Sequence, residues 1–450
     1  MGRSKGAAAR SRKADAARKA NAPKIHVAEA TKIEPEPPRP CPSLVPDVLA
    51  NIHGRLGFLD RVAFAAVFTT SCGDDLFMPD TPWLVFPSHK PATVQLFSVA
   101  DRRGATVPAP EPALRGHLVL GSSRGWLATA DDRGQIYLVN PATGEQHELP
   151  HMSTIGIFHP STNKHYFTLD VDSLLTIRYG HGPPFNHVWC NTFTWPSDTT
   201  CTSMYRKVVL SPSPRRNQYA AMLIWNRDFG APAFSSAEDP TWRLAPSHDG
   251  VEDAIHHGGK FYSVSYAGLL KAWEREAESG SYTSTAVAPR LAMEEDKEPS
   301  CRKYVAVSPS GQLMVVIKYT EQMPEKSPFS FRVHVLRNDG QWNETTDVGD
   351  MAVFVGMNNS LCVPTIGRPQ IKRGCIYHTD DLVEAMVGRK KALASSSYVY
   401  SSRHNSDLTG VWVYSLMDGT LKEQRSFYPP PVCPMIFHRS YSSLLIICSI

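Results

Sequence analysis

Residues 133–145 read RGQIYLVNPATGE: a glycine, an apolar run of β-branched and aromatic residues, then an Asn-Pro and Gly turn. The run Ile136-Tyr137-Leu138-Val139 is too short for a stable helix and is closed on both sides by breakers, so it predicts a strand entering a tight turn. The same order of glycine, strand, turn and second strand recurs in GGKFYSVSYAGLLKAWE (258–274) and SGQLMVVIKY (310–319). It recurs again in RGCIYHTDD (373–381), which pairs later with GVWVYSLMDGT (410–420). Between these lie further runs of strand type: WLVF (83–86), VQLFSV (94–99), MLIW (222–225), FRVHVL (331–336) and MAVFVG (351–356). Helical patterns of useful length are missing between the runs, apart from a turn near 380–387, which argues against parallel βαβ folds. Weak repeats of roughly 45 to 60 residues predict propeller blades, whose radial arrangement protects the edges of many short strands. The fold class is therefore mainly β. Residues 76–450 are expected to form one closed β-propeller of six or seven blades, since roughly 375 residues at about 50 per blade fall in that range.

The front of the chain is different. Residues 1–41 are rich in Ala, Lys, Arg and Pro and hold almost no large apolar side chains. Such a segment cannot offset its ordering entropy and is expected to be a disordered basic tail. From Leu44 the period becomes helical, with Val48, Leu49, Ile52 and Leu56 recurring at spacings of three and four on one face. Pro46 and Asp47 suit a first turn, one needing no amide donor and the other complementing the helix dipole. Gly57 breaks the run, and a second short helix is expected from Asp60 to Phe68. Residues 42–75 thus read as a small helical domain.

Composition bounds the function classes. The chain has 450 residues and a formal charge of +4. Arg3, Lys5, Arg10, Arg12, Lys13, Arg18, Lys19 and Lys24 face only Asp15 in the first stretch, so the remainder is near neutral and gives no basic field for nucleic acid. Nine cysteines without a CxxC pair suit free thiols in a reducing compartment rather than a disulfide framework. Sequons at Asn343 and Asn358 matter only after secretion. No signal-type apolar run stands at the front, and no stretch approaches the roughly 20 residues a membrane helix needs. The expectation is a soluble intracellular protein of nucleus or cytoplasm, with no membrane partner.

Candidate chemistry is thin. Gly121-Ser122-Ser123-Arg124-Gly125 fits GxSxG, but a nucleophile elbow needs a strand before the serine and a helix after it. Here WLATA and then QIYLV follow, so a β-hairpin turn is expected. His256 and His257 are adjacent on an extended run, where successive side chains point to opposite faces. Cys190 and Cys201 lack neighbouring ligands for zinc. Asp380-Asp381 reads as a turn or cap, and Glu294-Glu295-Asp296 as an exposed loop. No phosphate loop is present. The sequence predicts no catalytic residues, no metal and no cofactor. Its 9 Trp and 16 Tyr suit blade cores and a binding rim.

Leu44-Val45-Pro46-Asp47-Val48-Leu49, then Ile52, Arg55-Leu56, Asp60, Phe64 and Val67, resembles the F-box. Residues 97–150, with GSSRGWL and LVNPATGE, are similar to the signature stretch of plant F-box proteins with a KIB-type β-propeller. RGCIYHTDD and GVWVYSLMDGT are similar to that family's closing motifs. The resemblance implies a Skp-type adaptor bound through Leu44, Pro46, Leu49, Ile52, Leu56, Leu59 and Asp60, and through the adaptor a cullin RING ubiquitin ligase. It also implies a target protein held by the propeller, and no catalysis by the chain itself. Departures are present: Val45 stands at the usual Pro, Phe68 at the Cys position and Ser71 where Trp is expected. The missing Trp removes a large apolar anchor of the kind that dominates interfaces. The alternative is a propeller interaction module whose degenerate F-box does not join a ligase.

Overall fold

The computed structural model describes residues 46–56, 60, 64, 82–87, 93–100, 102–112, 114, 117–161, 166–179, 192–197, 204–212, 214, 216–225, 230–292, 301–320, 329–379, 411–423 and 446–449. The basic tail, Cys190, Cys201, Glu294-Glu295-Asp296, Asp380-Asp381 and most of the second predicted helix lie outside them; Asp60 and Phe64 of that helix are helical. Helix α1 (Pro46–Arg55) starts at the predicted proline and ends before Gly57, with Asp47 in its first turn and His53 and Arg55 in its last.

Strands follow in sets that are antiparallel throughout except for one pair in the last. Blade one holds β1 (Pro82–Pro87), β2 (Thr93–Ser98) and β3 (Arg103–Pro108). Blade two holds β4 (Leu118–Ser123), β5 (Trp126–Ala130), β6 (Ile136–Val139) and β7 (Gln146–Glu148). A three-stranded insert comes next, of β8 (Phe158–Pro160), β9 (Tyr166–Asp170), helix α2 (Val171–Tyr179) and β10 (Thr192–Pro196). Blade three is β11 (Tyr205–Leu210), β12 (Ala220–Trp225), β13 (Ala233–Ser236) and β14 (Arg243–Leu244). Blade four is β15 (Asp253–His257), β16 (Lys260–Val264), β17 (Leu270–Arg275) and β18 (Tyr282–Ala286). Blade five is β19 (Cys301–Val307), β20 (Leu313–Thr320), β21 (Phe329–Leu336) and β22 (Trp342–Thr345). Blade six is β23 (Met351–Val355), β24 (Leu361–Pro364), β25 (Cys375–His378), β26 (Trp412–Ser415) and β27 (Leu421–Glu423). The last strand, β28 (Ile446–Ser449), pairs antiparallel with β1 and so completes blade one from the far end of the chain.

Six apolar clusters join these six blades into a closed ring. Leu96 meets Val119 and Leu127 between blades one and two. Leu120 meets Val208 and Leu223 between two and three, and Met222 meets Phe261 and Trp273 between three and four. Val264 packs with Val305 and Ile317, Val316 with Val353 and Ile376, and Phe354 and Tyr377 with Leu84, which returns to blade one. Neighbouring residues of one inner strand serve opposite interfaces: Val119 faces blade one and Leu120 faces blade three. That is the period of two expected when both faces of a strand are buried.

The insert is packed onto the junction of blades two and three, where Phe158, Phe167 and Leu174 join the same cluster as Trp225. Helix α2 corrects the expectation that the β region lacks helices. Asp170 caps it, its carboxylate accepting from the Ser173 amide at 3.0 Å and the Ser173 hydroxyl at 2.6 Å. Those bonds hold the Asp170 carboxyl below its ordinary pKa. In blade six, β23 and β25 are parallel neighbours. The return is made by β24, on the inner side of β23, rather than by a crossover helix.

Candidate functional site

Strands β4, β11, β15 and β19 are the innermost of their sheets and point their C-terminal ends to one mouth of the ring, where β24 begins. A cavity of about 580 Å³ opens there, within the range of ligand sites. Blade two contributes Ser122, Ser123 and Arg124, blade three Leu210 and Pro212, and blade four Ile255, His256 and His257. Blade five adds Val307 and Ser308, and blade six Asn359, Ser360 and Cys362. The described lining contains no carboxylate.

Arg124 sits in the two-residue hairpin between Ser123 and Trp126, with φ of 42°, and Gly125 follows at 82°. Both central residues of such a turn are left-handed, which is why Asn-Gly is its usual sequence. Arginine at the first of them is a costly choice. It places a half-buried guanidinium at the mouth, and no described residue forms an ion pair or hydrogen bond with it.

His256 is half-buried, and burial first, then the charges of His257 and Arg124, lower its pKa to about 4, so it is neutral near pH 7. Its Nδ1, the Asn359 Oδ1 and the Ser360 Oγ are buried atoms without a protein hydrogen-bond partner. Cys362 is a packing residue: burial pushes its thiol up to about 12, and its Sγ lies 3.8 Å from the Met314 Sδ. Asn358, the sequon asparagine beside the mouth, is only 2% exposed, whereas Asn343 is exposed.

The GxSxG serine has strands on both sides, as the hairpin reading expects. Ser123 Oγ donates to the Ser211 carbonyl at 3.5 Å. Gly121 answers to packing: a Cβ there would overlap the carbonyl oxygen of Val208 on β11. His256 and His257 both border the cavity although they alternate along β15. Among the described residues no group of three or more His, Cys, Asp or Glu is placed to hold a metal ion.

The opposite ends of the same inner strands carry an ionic ladder. Lys207 Nζ lies 2.6 Å from Asp253 Oδ1, and both side chains are almost wholly buried. Burial pushes the Lys207 pKa down, and the Asp253 carboxylate pulls it back up. The other oxygen of Asp253 accepts from the Val305 amide at 2.8 Å. Lys303 Nζ reaches Glu252 at 3.0 Å and the Tyr266 carbonyl at 2.8 Å. Blades three, four and five are thereby pinned together.

On α1 the residues expected to bind an adaptor separate. Leu49 is 1% exposed and Ile52 36%; Val48, outside that expected set, is 45% exposed. Leu56 is half-buried and Asp60 exposed. Pro46 opens the helix; Leu44 and Leu59 lie outside the described residues. Sequence reasoning missed Arg124, Asn359 and Ser360 as mouth residues. An arginine before glycine in a strand-to-strand turn was a signal for the first; the other two follow only once blade six is assembled.

The ring of short antiparallel sheets closed by its last strand defines a β-propeller protein. Residues 96–414 match the KIB1-4 beta-propeller family model, and the chain belongs to that family. Two Arabidopsis thaliana proteins, each named "Putative F-box protein", are similar to it. One is 24% identical over 190 residues, covering 41% of this chain and 51% of that protein. The other is 22% identical over 270 residues, covering 58% and 60%. The chain thus spans about half to three-fifths of the length of these relatives. Among solved structures, the beta-propeller domain of Myceliophteria thermophila Cps50 (Swd1) aligns at 10% identity over 74% of this chain and 79% of that one, with a TM-score of 0.30. No helix among the described residues is long and apolar enough to cross a membrane.

Proposed function

We propose that this protein is a substrate receptor of a cullin RING ubiquitin ligase, with the helical front bound to a Skp-type adaptor and the propeller holding a target protein. The observation that carries the reading is the outward apolar pair Val48 and Ile52 on α1, in a segment patterned like an F-box. Large apolar side chains left in water on one helix face suit a partner's groove, the helix-in-groove mode. The likeness to proteins named for the F-box supports the same assignment. The chain itself acts by holding partners rather than by chemistry, in the nucleus or cytoplasm.

The second reading, a propeller module that joins no ligase, is favoured by the burial of Leu49 within the chain and by Ser71 at the position of the missing Trp. One experiment separates them. The full-length chain is co-purified with a Skp-type adaptor, as wild type and as Val48→Asp with Ile52→Asp. Capture by wild type and its loss in the variant, with the propeller's thermal midpoint unchanged, supports the receptor. No capture by wild type, or equal capture by both, overturns it.

A further inference from the structure

We propose that the propeller mouth is a carboxylate-binding site, in which Arg124 takes an Asp or Glu side chain of a partner protein's segment. The inference rests on the reading that the propeller holds a target, and it names the chemistry of that hold.

Three observations converge. Arg124 is a half-buried cation with no acidic partner among the described residues, and the cavity it borders is lined by none. It occupies a left-handed turn position that Asn or Gly fills at less conformational cost, so the turn does not account for an arginine there. Strain of this kind persists where surrounding structure imposes it, and it gathers at binding sites. Thirdly, His256 Nδ1, Ser360 Oγ and Asn359 Oδ1 are buried without protein partners on the facing blades. Buried polar atoms are ordinarily satisfied, and a group of three around one cavity marks a place for a polar ligand.

Charge decides the class of anion. Among its described residues the mouth carries one permanent cation, Arg124, and His256 is neutral near pH 7. A carboxylate brings one negative charge and matches the two-pronged guanidinium. A phosphate group brings between one and a half and two charges and would leave part of that charge uncompensated. A serine hydroxyl and an imidazole N–H can donate to the second carboxylate oxygen, while Asn359 Oδ1 can accept from a neighbouring backbone amide of the segment. At about 580 Å³ the cavity holds a side chain and its flanking backbone.

The test uses the purified full-length chain on an array of randomised heptapeptides whose central residue is Glu, Gln or phosphoserine. Glu-centred peptides are expected to retain about ten times more protein than their Gln counterparts, the weight of one charge-assisted bond. Arg124→Asn should erase that preference while keeping the turn; Arg124→Lys should keep part of it. Should Arg124→Asn lose its thermal transition, Arg124→Gly, which the same turn accepts, carries the test. Equal retention of Glu and Gln peptides, a preference that survives loss of the arginine, or stronger retention of phosphoserine overturns the proposal. Adaptor capture reports on α1 and should be the same in Arg124→Asn and wild type, so failure here is distinct from failure of the receptor reading.

Discussion

Asp253 holds two neighbouring blades at once, and its neutralisation is the sharpest test of how the ring is held. In Asp253→Asn the side chain keeps its shape and can still accept from the Val305 amide, which now sits 2.8 Å from Oδ2. What it loses is the countercharge for Lys207, whose side chain is 2% exposed. Removing one member of a buried pair leaves an uncompensated charge and costs about 3–5 kcal/mol. Lys207→Met strands the carboxylate instead and should cost a similar amount. In the double variant neither charge of this pair is left, the Lys303–Glu252 pair is untouched and the Val305 bond remains, so the total should be only about 1–3 kcal/mol, that of an amide N–H left unpaired and far below the sum of the singles. Urea unfolding of the four proteins, followed by tryptophan fluorescence, closes the cycle. Additive singles, or singles each costing less than about 1 kcal/mol, would refute the claim that this pair is dry and mutually dependent.

Two further outcomes follow from named contacts. Gly121→Ala forces a Cβ into the Val208 carbonyl and should lower stability by about 1–3 kcal/mol or more, since backbone on both sides must give. Gly54→Ala on α1, where nothing lies within 4 Å, should leave stability equal or raised by up to about 1 kcal/mol; equal losses at both glycines would sink the close-approach argument. His256 sets a pH dependence. Its pKa is about 4 in the fold against an ordinary 6.5, so between those values the unfolded chain binds a proton that the folded one refuses. Its stabilising preference is present in full above pH 6.5 and is lost as pH falls toward 4, by at most about 3 kcal/mol and by about 1–2 after discounting its partial exposure. Unfolding free energies at about pH 7 and pH 4.5 should therefore differ less in His256→Gln than in wild type; identical slopes would refute the cause.

The propeller was legible because its signals are local. Runs such as QLMVVIKY and FRVHVL are strands by composition alone, and β20 and β21 fall on them. Polar or mixed strands were not legible in the same way. Tyr282–Ala286 and Trp342–Thr345 are outer strands with exposed residues, formed because a neighbour supplies the ladder. Helix α2 was hidden because VDSLLTIRY mixes β-branched residues into a nine-residue stretch, and its start depends on the Asp170–Ser173 cap. The mouth was illegible for a geometric reason: its residues come from five blades and are spread along the chain from Ser122 to Pro364, and only closure brings Arg124 beside His256.

The two ends of the inner strands differ in a way that separates structure from function. At one end Lys207, Lys303, Glu252 and Asp253 are buried and paired with one another and with backbone groups. Such a network fixes blade order, and any ligand reaching it would have to break bonds already made. At the other end stand a cation with no acid among the described residues and three buried polar atoms without described protein partners, around an open cavity. A ligand there exchanges water for its own bonds and breaks none between described protein groups. Binding free energy is the surplus over what the free protein already satisfies. The ladder end is thus expected to tolerate apolar replacement of its pair, and the mouth to tolerate loss of Arg124 without loss of the fold. Loss of the fold in both Arg124→Asn and Arg124→Gly, with Lys207→Met plus Asp253→Asn fully stable yet binding no partner, would invert the assignment of the two ends.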